Sequence, residues 1–258
     1  MNKRHAIQAF KLDGLKGLLG HIAARVFGRP HFLVPASSID FRNSGLMCTR
    51  NEFDFIHALL PNLSSDLIDE SLNFARSLPE LKIPTEVDLK FPERWNSGSG
   101  LQHVMAALVW LLNPRLVVET GTANGASALA ISAAMHARQN GRLLSLDIVD
   151  CEANLVPAHL KSYVSFRRVN GSAENLREVI RKEKSNTGFS IFLHDADHSY
   201  LGQKTDYQIA RELNFDLIIS DDVDTSLAFI DFAGTLGVVL YDVPKFIGGL
   251  LENGALGK

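Results

Sequence analysis

Short apolar runs and amphipathic stretches take turns along the second part of the chain. RLVVETG, RLLSLD, YVSFRRVNG, FSIFLHD, FDLIISDD and GVVLYDV are rich in β-branched residues and bounded by turn residues, so each predicts a strand. LQHVMAALVWLL, ASALAISAAMHAR, AENLREVIRKE, LGQKTDYQIARELN and SLAFIDFAGTL carry apolar positions at helical spacing and predict helices before, between and after those strands. Strands alternating with helices predict an α/β fold with a doubly wound, mostly parallel sheet and helices on both faces. In such sheets ligands bind beyond the carboxyl ends of the strands. The polar residues at those ends are Glu119, Asp147, Gly171, Asp195 and Asp221.

The pattern changes near WNSGSG, Trp95 to Gly100, a Gly/Ser-rich stretch after Pro84 and Pro92. It divides a mainly helical N-terminal region, residues 1–98, from the α/β domain, residues 99–258. In the first region NEFDFIHALLPNL and SSDLIDESLNFARSL predict helices, the second capped by Ser65 or Asp66. RPHFLVPASSIDF reads as a loop. Nearer the start, Ile7, Leu15, Leu18, Leu19, Ile22 and Val26 fall at helical spacing among Lys3, Arg4, Lys11, Lys16 and Arg25. A basic amphipathic helix can lie on an anionic membrane. It can equally pack on its own domain or on a second subunit, the reading an apolar stripe favours. The region is expected to cover the mouth of the site, to form a subunit interface in a homo-oligomer, or both.

Composition narrows the function classes. The chain has 258 residues, 46% hydrophobic and 21% charged, with 26 basic against 29 acidic side chains. That profile is globular, and without a basic excess nucleic acid is not expected as a partner. Two cysteines, Cys48 and Cys151, form no CxxC pair, so neither a disulfide framework nor a cysteine zinc site is expected. No apolar run has the length of a membrane span, and the N-terminus lacks a signal-peptide pattern. A cytoplasmic location is the expectation that follows.

The strand ends carry the candidate chemistry. The first, ETGTANGAS, spans Glu119 to Ser127 and includes Thr122. Gly121 and Gly125 allow a sharp turn and a close backbone approach to a ligand. The helix that follows offers free N–H groups to an anionic group such as a carboxylate. This is neither the G-x-G-x-x-G of a dinucleotide site nor a Walker motif, and tight packing alone also accounts for it. Asp147 ends the next strand, where an acid can accept both hydroxyls of a ribose; it can equally cap the following helix. Ser172, in NGSAENL, can lie along an adenine edge or serve only as a helix N-cap. HDADHSY, His194 to Tyr200, packs two histidines and two aspartates after an apolar strand, and SDDVD ends the next strand with Asp221 and Asp222.

As an ordered set, VVETGTANGAS, LLSLD, NGSAENL and IFLHDADHSY resemble the strand-end motifs of class I S-adenosylmethionine-dependent methyltransferases over roughly residues 100 to 245. The resemblance implies a Rossmann-like methyltransferase fold. It implies that Glu119, Gly121, Thr122, Gly125 and Ser127 border the methionine moiety of the cofactor, that Asp147 binds the ribose, and that Ser172 or its neighbours meet the adenine. DADH, Asp195 to His198, is similar to the DADK of caffeoyl-CoA-type O-methyltransferases and to the same region of metal-dependent sugar O-methyltransferases of macrolide pathways. That resemblance implies a magnesium ion held by Asp195, Asp221 and Asp222, with Asp195 also at the cofactor, and His198 as the base. His194 departs from the sugar type, which has a small or acidic residue there.

The chemistry is coherent on its own terms. Methyl transfer from a sulfonium is an in-line displacement that needs a positioned nucleophilic oxygen. A hard cation on carboxylates can gather two neighbouring oxygens of a small-molecule substrate, a sugar or a phenol, and acidify one. A histidine, with its ordinary pKa of about 6.5, can then take the proton. Structural readings stand beside these: Asp221-Asp222 as a helix N-terminus, Asp197 and His194 as turn residues, and His198 as a cap. A metal-independent methyltransferase and a non-catalytic nucleoside-binding protein are the other functions the pattern allows.

Overall fold

The computed structural model describes residues 41, 44–78, 89–151, 154–184, 188–242 and 245–252. The amphipathic helix expected near the start lies outside them, as does the loop expected over residues 29–41 except its last residue, the buried Phe41.

Eight strands form one sheet. In chain order these are β1 (Met47–Thr49), β2 (Leu116–Thr120), β3 (Leu143–Asp147), β4 (Val164–Arg168), β5 (Ser190–His194), β6 (Leu217–Ser220), β7 (Val238–Asp242) and β8 (Lys245–Leu251). The helices are α1 (Glu52–Leu59), α2 (Ser65–Ser77), α3 (Ser99–Leu112), α4 (Ala126–Arg138), α5 (Ala173–Glu183), α6 (Tyr200–Glu212) and α7 (Ala228–Ala233). The strand order is β1-β7-β8-β6-β5-β2-β3-β4. All pairings are parallel except those of β8, which runs antiparallel to β6 and to β7.

Alternate residues of each central strand enter different cores, as a strand period of two requires. Val117, Ile191, Leu193, Leu217 and Ile219 join the core built with α1 to α4. Leu116, Val118, Phe192 and Ile218 join the opposite core, with Leu176 and Ile180 of α5, Tyr207 and Ile209 of α6 and Phe229 of α7. Helices cover both faces, so the doubly wound α/β expectation holds.

Three features differ from the sequence reading. Ser64, not Ser65 or Asp66, caps α2 by accepting the Leu67 N–H. Met47–Thr49 joins the sheet edge beside β7, giving the N-terminal region a strand that its helical pattern hid. The antiparallel β8, which the sequence reading did not include, contains Gly248 and Gly249; both are needed, because a Cβ at Gly248 would enter the Phe229 ring and one at Gly249 the Leu59 and Phe55 side chains. Among the described residues no helix is long and apolar enough to cross a membrane.

Candidate active site

The chain leaves β2 for β3 and β4 on one side and returns to β5 and β6 on the other, so the strand order reverses between β2 and β5. A crevice opens at such a reversal, beyond the carboxyl ends of the strands. Gly121 sits there at φ +89°, and a Cβ on it would overlap the carbonyl of Asp195. Only glycine permits both the left-handed backbone and this approach of two loops.

Glu119 lies one residue inside the end of β2 with no exposed surface. It accepts a hydrogen bond from Ser145 Oγ, its cross-strand neighbour, at 2.5 Å and another from Ser127 Oγ on α4. Thr122 Oγ1 joins the same network at 2.7 Å from Ser145 Oγ. Thr122 and Ser127 therefore turn their hydroxyls inward. What the loop retains for a ligand is backbone: α4 starts at Gly125, φ 88°, with no side-chain cap on its first N–H groups.

Burial pushes the Glu119 carboxyl up to about 7, against the lowering effect of the two serines and with Asp147 adding to the rise. The folded chain thus keeps a proton that the unfolded chain, with an ordinary value of 4.5, gives up. This contribution to stability is complete below 4.5 and is lost as pH rises toward about 7. Thermal midpoints of the ligand-free protein should fall across that window, and Glu119→Gln should flatten the fall. Parallel profiles for parent and variant would contradict it.

Asp147 closes β3. Its Oδ2 accepts the N–H of Thr122 at 2.9 Å and of Ala123 at 3.4 Å, and its Oδ1 accepts the Val149 N–H at 3.1 Å. The acid expected at a ribose is therefore already tied to the glycine loop, with lone-pair directions left for a hydroxyl. Ser172 is the N-cap of α5: its hydroxyl accepts the Asn175 N–H at 3.2 Å. The structure supports the capping role for it and places no other polar group on it from the site.

The segment before α3, read from sequence as a divide, instead folds onto the glycine loop. Asn124 Oδ1 accepts the Phe91 N–H at 2.9 Å, and Asn124 Nδ2 donates to Phe91 O at 3.0 Å and to Asn96 Oδ1 at 2.9 Å. Asn96 and Ser97 are buried, and Asn96 Nδ2 and Ser97 Oγ have no hydrogen-bond partner among the described residues. Buried polar atoms without partners are costly and mark a place where a ligand or water completes the set. Sequence reasoning missed both, since Asn and Ser beside glycines look like linker.

Asp195, Asp222 and His198 come together at the ends of β5 and β6. His198 Nε2 lies 3.8 Å from Asp195 Oδ1 and 3.6 Å from Asp222 Oδ2. Ser199, not His198, caps α6. Thr225 Oγ1 donates to the His198 carbonyl at 2.8 Å, joining the β5 and β6 loops. Asp222 holds the left-handed conformation, φ 48°, which an aspartate adopts at some cost. Asp221, beside it, has no exposed surface. Among the described residues no group of three or more His, Cys, Asp or Glu side chains stands in the arrangement of a formed cation site. His194, expected as a turn residue, is instead the last residue of β5 and fully buried.

The family model of the methyltransferase domain matches residues 118–256, more than half of the chain. The chain belongs to that family, and it is an enzyme of the methyltransferase class. No curated protein matches it. Among solved structures it is similar to an O-methyltransferase from Bacillus cereus in complex with SAH, at 18% identity and a TM-score of 0.48, covering 78% of this chain and 98% of that one. It is similar also to TomG, an O-methyltransferase from Streptomyces achromogenes involved in tomaymycin synthesis, at 16% identity and a TM-score of 0.47, covering 79% and 97%. A third is CalS11, a TDP-rhamnose 3'-O-methyltransferase of calicheamicin biosynthesis, at 15% identity and a TM-score of 0.46, covering 73% and 94%. The family assignment rests on the domain match.

Proposed function

We propose that the chain moves a methyl group from S-adenosylmethionine to a hydroxyl of a small molecule with neighbouring oxygens, a sugar or a phenol, and that a divalent cation such as magnesium assists. The observation that carries this reading is the convergence of Asp195 and Asp222, from adjacent strand ends, on the single nitrogen His198 Nε2. Two carboxylates brought together at a strand-order reversal favour a positive charge between them.

The cofactor finds suitable groups. Asn96 Nδ2 and Ser97 Oγ, buried without partners beside the glycine loop, suit the carboxylate and ammonium of a methionine moiety, together with the uncapped N-terminus of α4. An ammonium there favours the ionised form of Glu119. Asp147 accepts the ribose. Bound S-adenosylmethionine supplies the methyl on a sulfonium that departs as a thioether. Asp147→Ala should weaken cofactor binding by a few kcal/mol at most, at roughly 1.5–3 kcal/mol per charge-assisted bond. Calorimetric titration measures this, and an affinity equal to the parent's would reject the ribose role.

Hard oxygen donors from Asp195, Asp222 and the buried Asp221 suit magnesium, which takes a few carboxylates and keeps open positions. Bound there, the cation would gather two substrate oxygens and acidify one. His198 Nε2, facing both carboxylates, takes the hydroxyl proton as the methyl transfers. A second reading has its own support: His198 Nε2 already stands between Asp195 and Asp222, so its imidazolium can balance them without metal. Release of S-adenosylhomocysteine across catechols and vicinal-diol glycosides separates the two. Release that stops in EDTA and returns with magnesium supports the first, and release indifferent to EDTA replaces it with the second.

A further inference from the structure

We propose that His194 is a positioning residue that sets the orientation and tautomer of His198; the inference rests on His198 being the base. Thr120, His194 and Ser220 are cross-strand neighbours at the ends of β2, β5 and β6. Helix α6 lies over them and bonds all three. Asp206 Oδ2 accepts Thr120 Oγ1–H at 2.7 Å and stands 2.8 Å from His194 Nδ1, while Tyr207 and Ser220 share a hydroxyl bond of 2.7 Å. The carboxylate fixes which nitrogen of His194 carries hydrogen: Nδ1 donates to Asp206, and Nε2 is left as an acceptor.

That acceptor is buried and has no hydrogen-bond partner among the described residues. The His194 ring stands between Tyr207, at 5.7 Å, and His198, at 5.5 Å with the two imidazoles perpendicular. His198 turns Nε2 toward Asp195 and Asp222, and its Nδ1 is buried. The two rings meet here as a perpendicular contact, not a hydrogen bond; a small ring rotation that brings the His198 Nδ1–H onto His194 Nε2 would satisfy the inner acceptor and leave the outer nitrogen of His198 with its lone pair for the substrate hydroxyl. The bonded chain Thr120–Asp206–His194 thus holds the ring against which His198 packs, and ties it to the sheet through α6. A turn residue would need none of these partners, and full burial of an imidazole with a carboxylate is costly unless it fixes something.

Two variants dissect the contact. His194→Phe keeps a ring beside His198 but cannot bond Asp206 or accept from His198. Thr120→Val removes only the hydroxyl that steadies Asp206 and is the fallback if His194→Phe does not fold. Turnover of His194→Phe should fall by about 10-fold to 10²-fold, the order that misplacement of a reacting group brings, with KM for the cofactor unchanged. In a His198→Ala background the same substitution should cost nothing further, because it acts through His198. Nitrogen-15 spectra of the magnesium-loaded, cofactor-free protein in alkaline buffer, where the cation occupies the two carboxylates, give a second readout: the parent's His198 should carry its hydrogen on Nδ1, and His194→Phe should shift it toward Nε2. An equal loss in both backgrounds, or an unchanged His198 tautomer, overturns the proposal and makes His194 a core residue only. If His198→Ala itself keeps full turnover, the base assignment fails, a result separate from the failure of this one.

Discussion

Asp195→Ala should abolish methyl transfer and its dependence on magnesium together. Asp195 leaves β5 at the strand-order reversal, its N–H bonded to Thr120 O at 2.9 Å and its carbonyl packed against Gly121. Its backbone is thereby fixed beside the glycine loop, with its side chain toward His198. Its loss leaves Asp221 and Asp222, a pair from one strand end that would hold magnesium weakly and leave the substrate oxygens unplaced. Because the backbone around Asp195 is held by main-chain contacts, the variant should fold with a near-parent thermal midpoint. Full turnover of Asp195→Ala in EDTA would remove the metal from the account.

His198→Ala should act differently. Cation and cofactor binding should stay near normal while turnover falls by about 10²-fold to 10⁴-fold, the usual worth of a positioned base. The pH–rate profile should also lose its limb near neutrality, where an imidazole titrates. The two residues have different surroundings: the Asp195 carbonyl packs against Gly121, whereas His198 Nε2 faces the Asp195 and Asp222 carboxylates. Full turnover in His198→Ala would leave proton removal to the cation alone or to another group.

These expectations draw on positions that were legible in the sequence to different degrees. The central strands were legible because both of their faces are buried, which forces unbroken apolar runs such as Leu116–Val118 and Ile191–Leu193. The residues ending them were legible for the same reason, since Glu119, Asp147, Asp195 and Asp221 interrupt those runs. α4 was placed at its observed bounds, with Gly125 at its start; the structure adds a left-handed Gln139 at its end. β1 and β8 were not legible: three residues at an edge carry no period, and the glycines of β8 make sense only beneath Phe229 and Leu59. Long-range partners hid the rest. Nothing local to His194 reveals that Asp206, a full turn into α6, will meet it, and nothing local to Asn96 and Ser97 reveals that Asn124 will draw them onto the glycine loop. The inward turn of Thr122 and Ser127 likewise depends on Ser145, a neighbour only through strand register.

The measurement closest to the central claim is a crystal of the full chain grown with S-adenosylmethionine and manganese, read by anomalous scattering. The account expects one manganese peak bounded by the carboxylates of Asp195, Asp221 and Asp222, within reach of His198, with the nucleoside ribose on Asp147 and the methionine end at Gly121, Asn96 and Ser97. Cofactor density in that place with no peak at the three aspartates would contradict cation-assisted transfer, and cofactor density elsewhere would contradict the site itself.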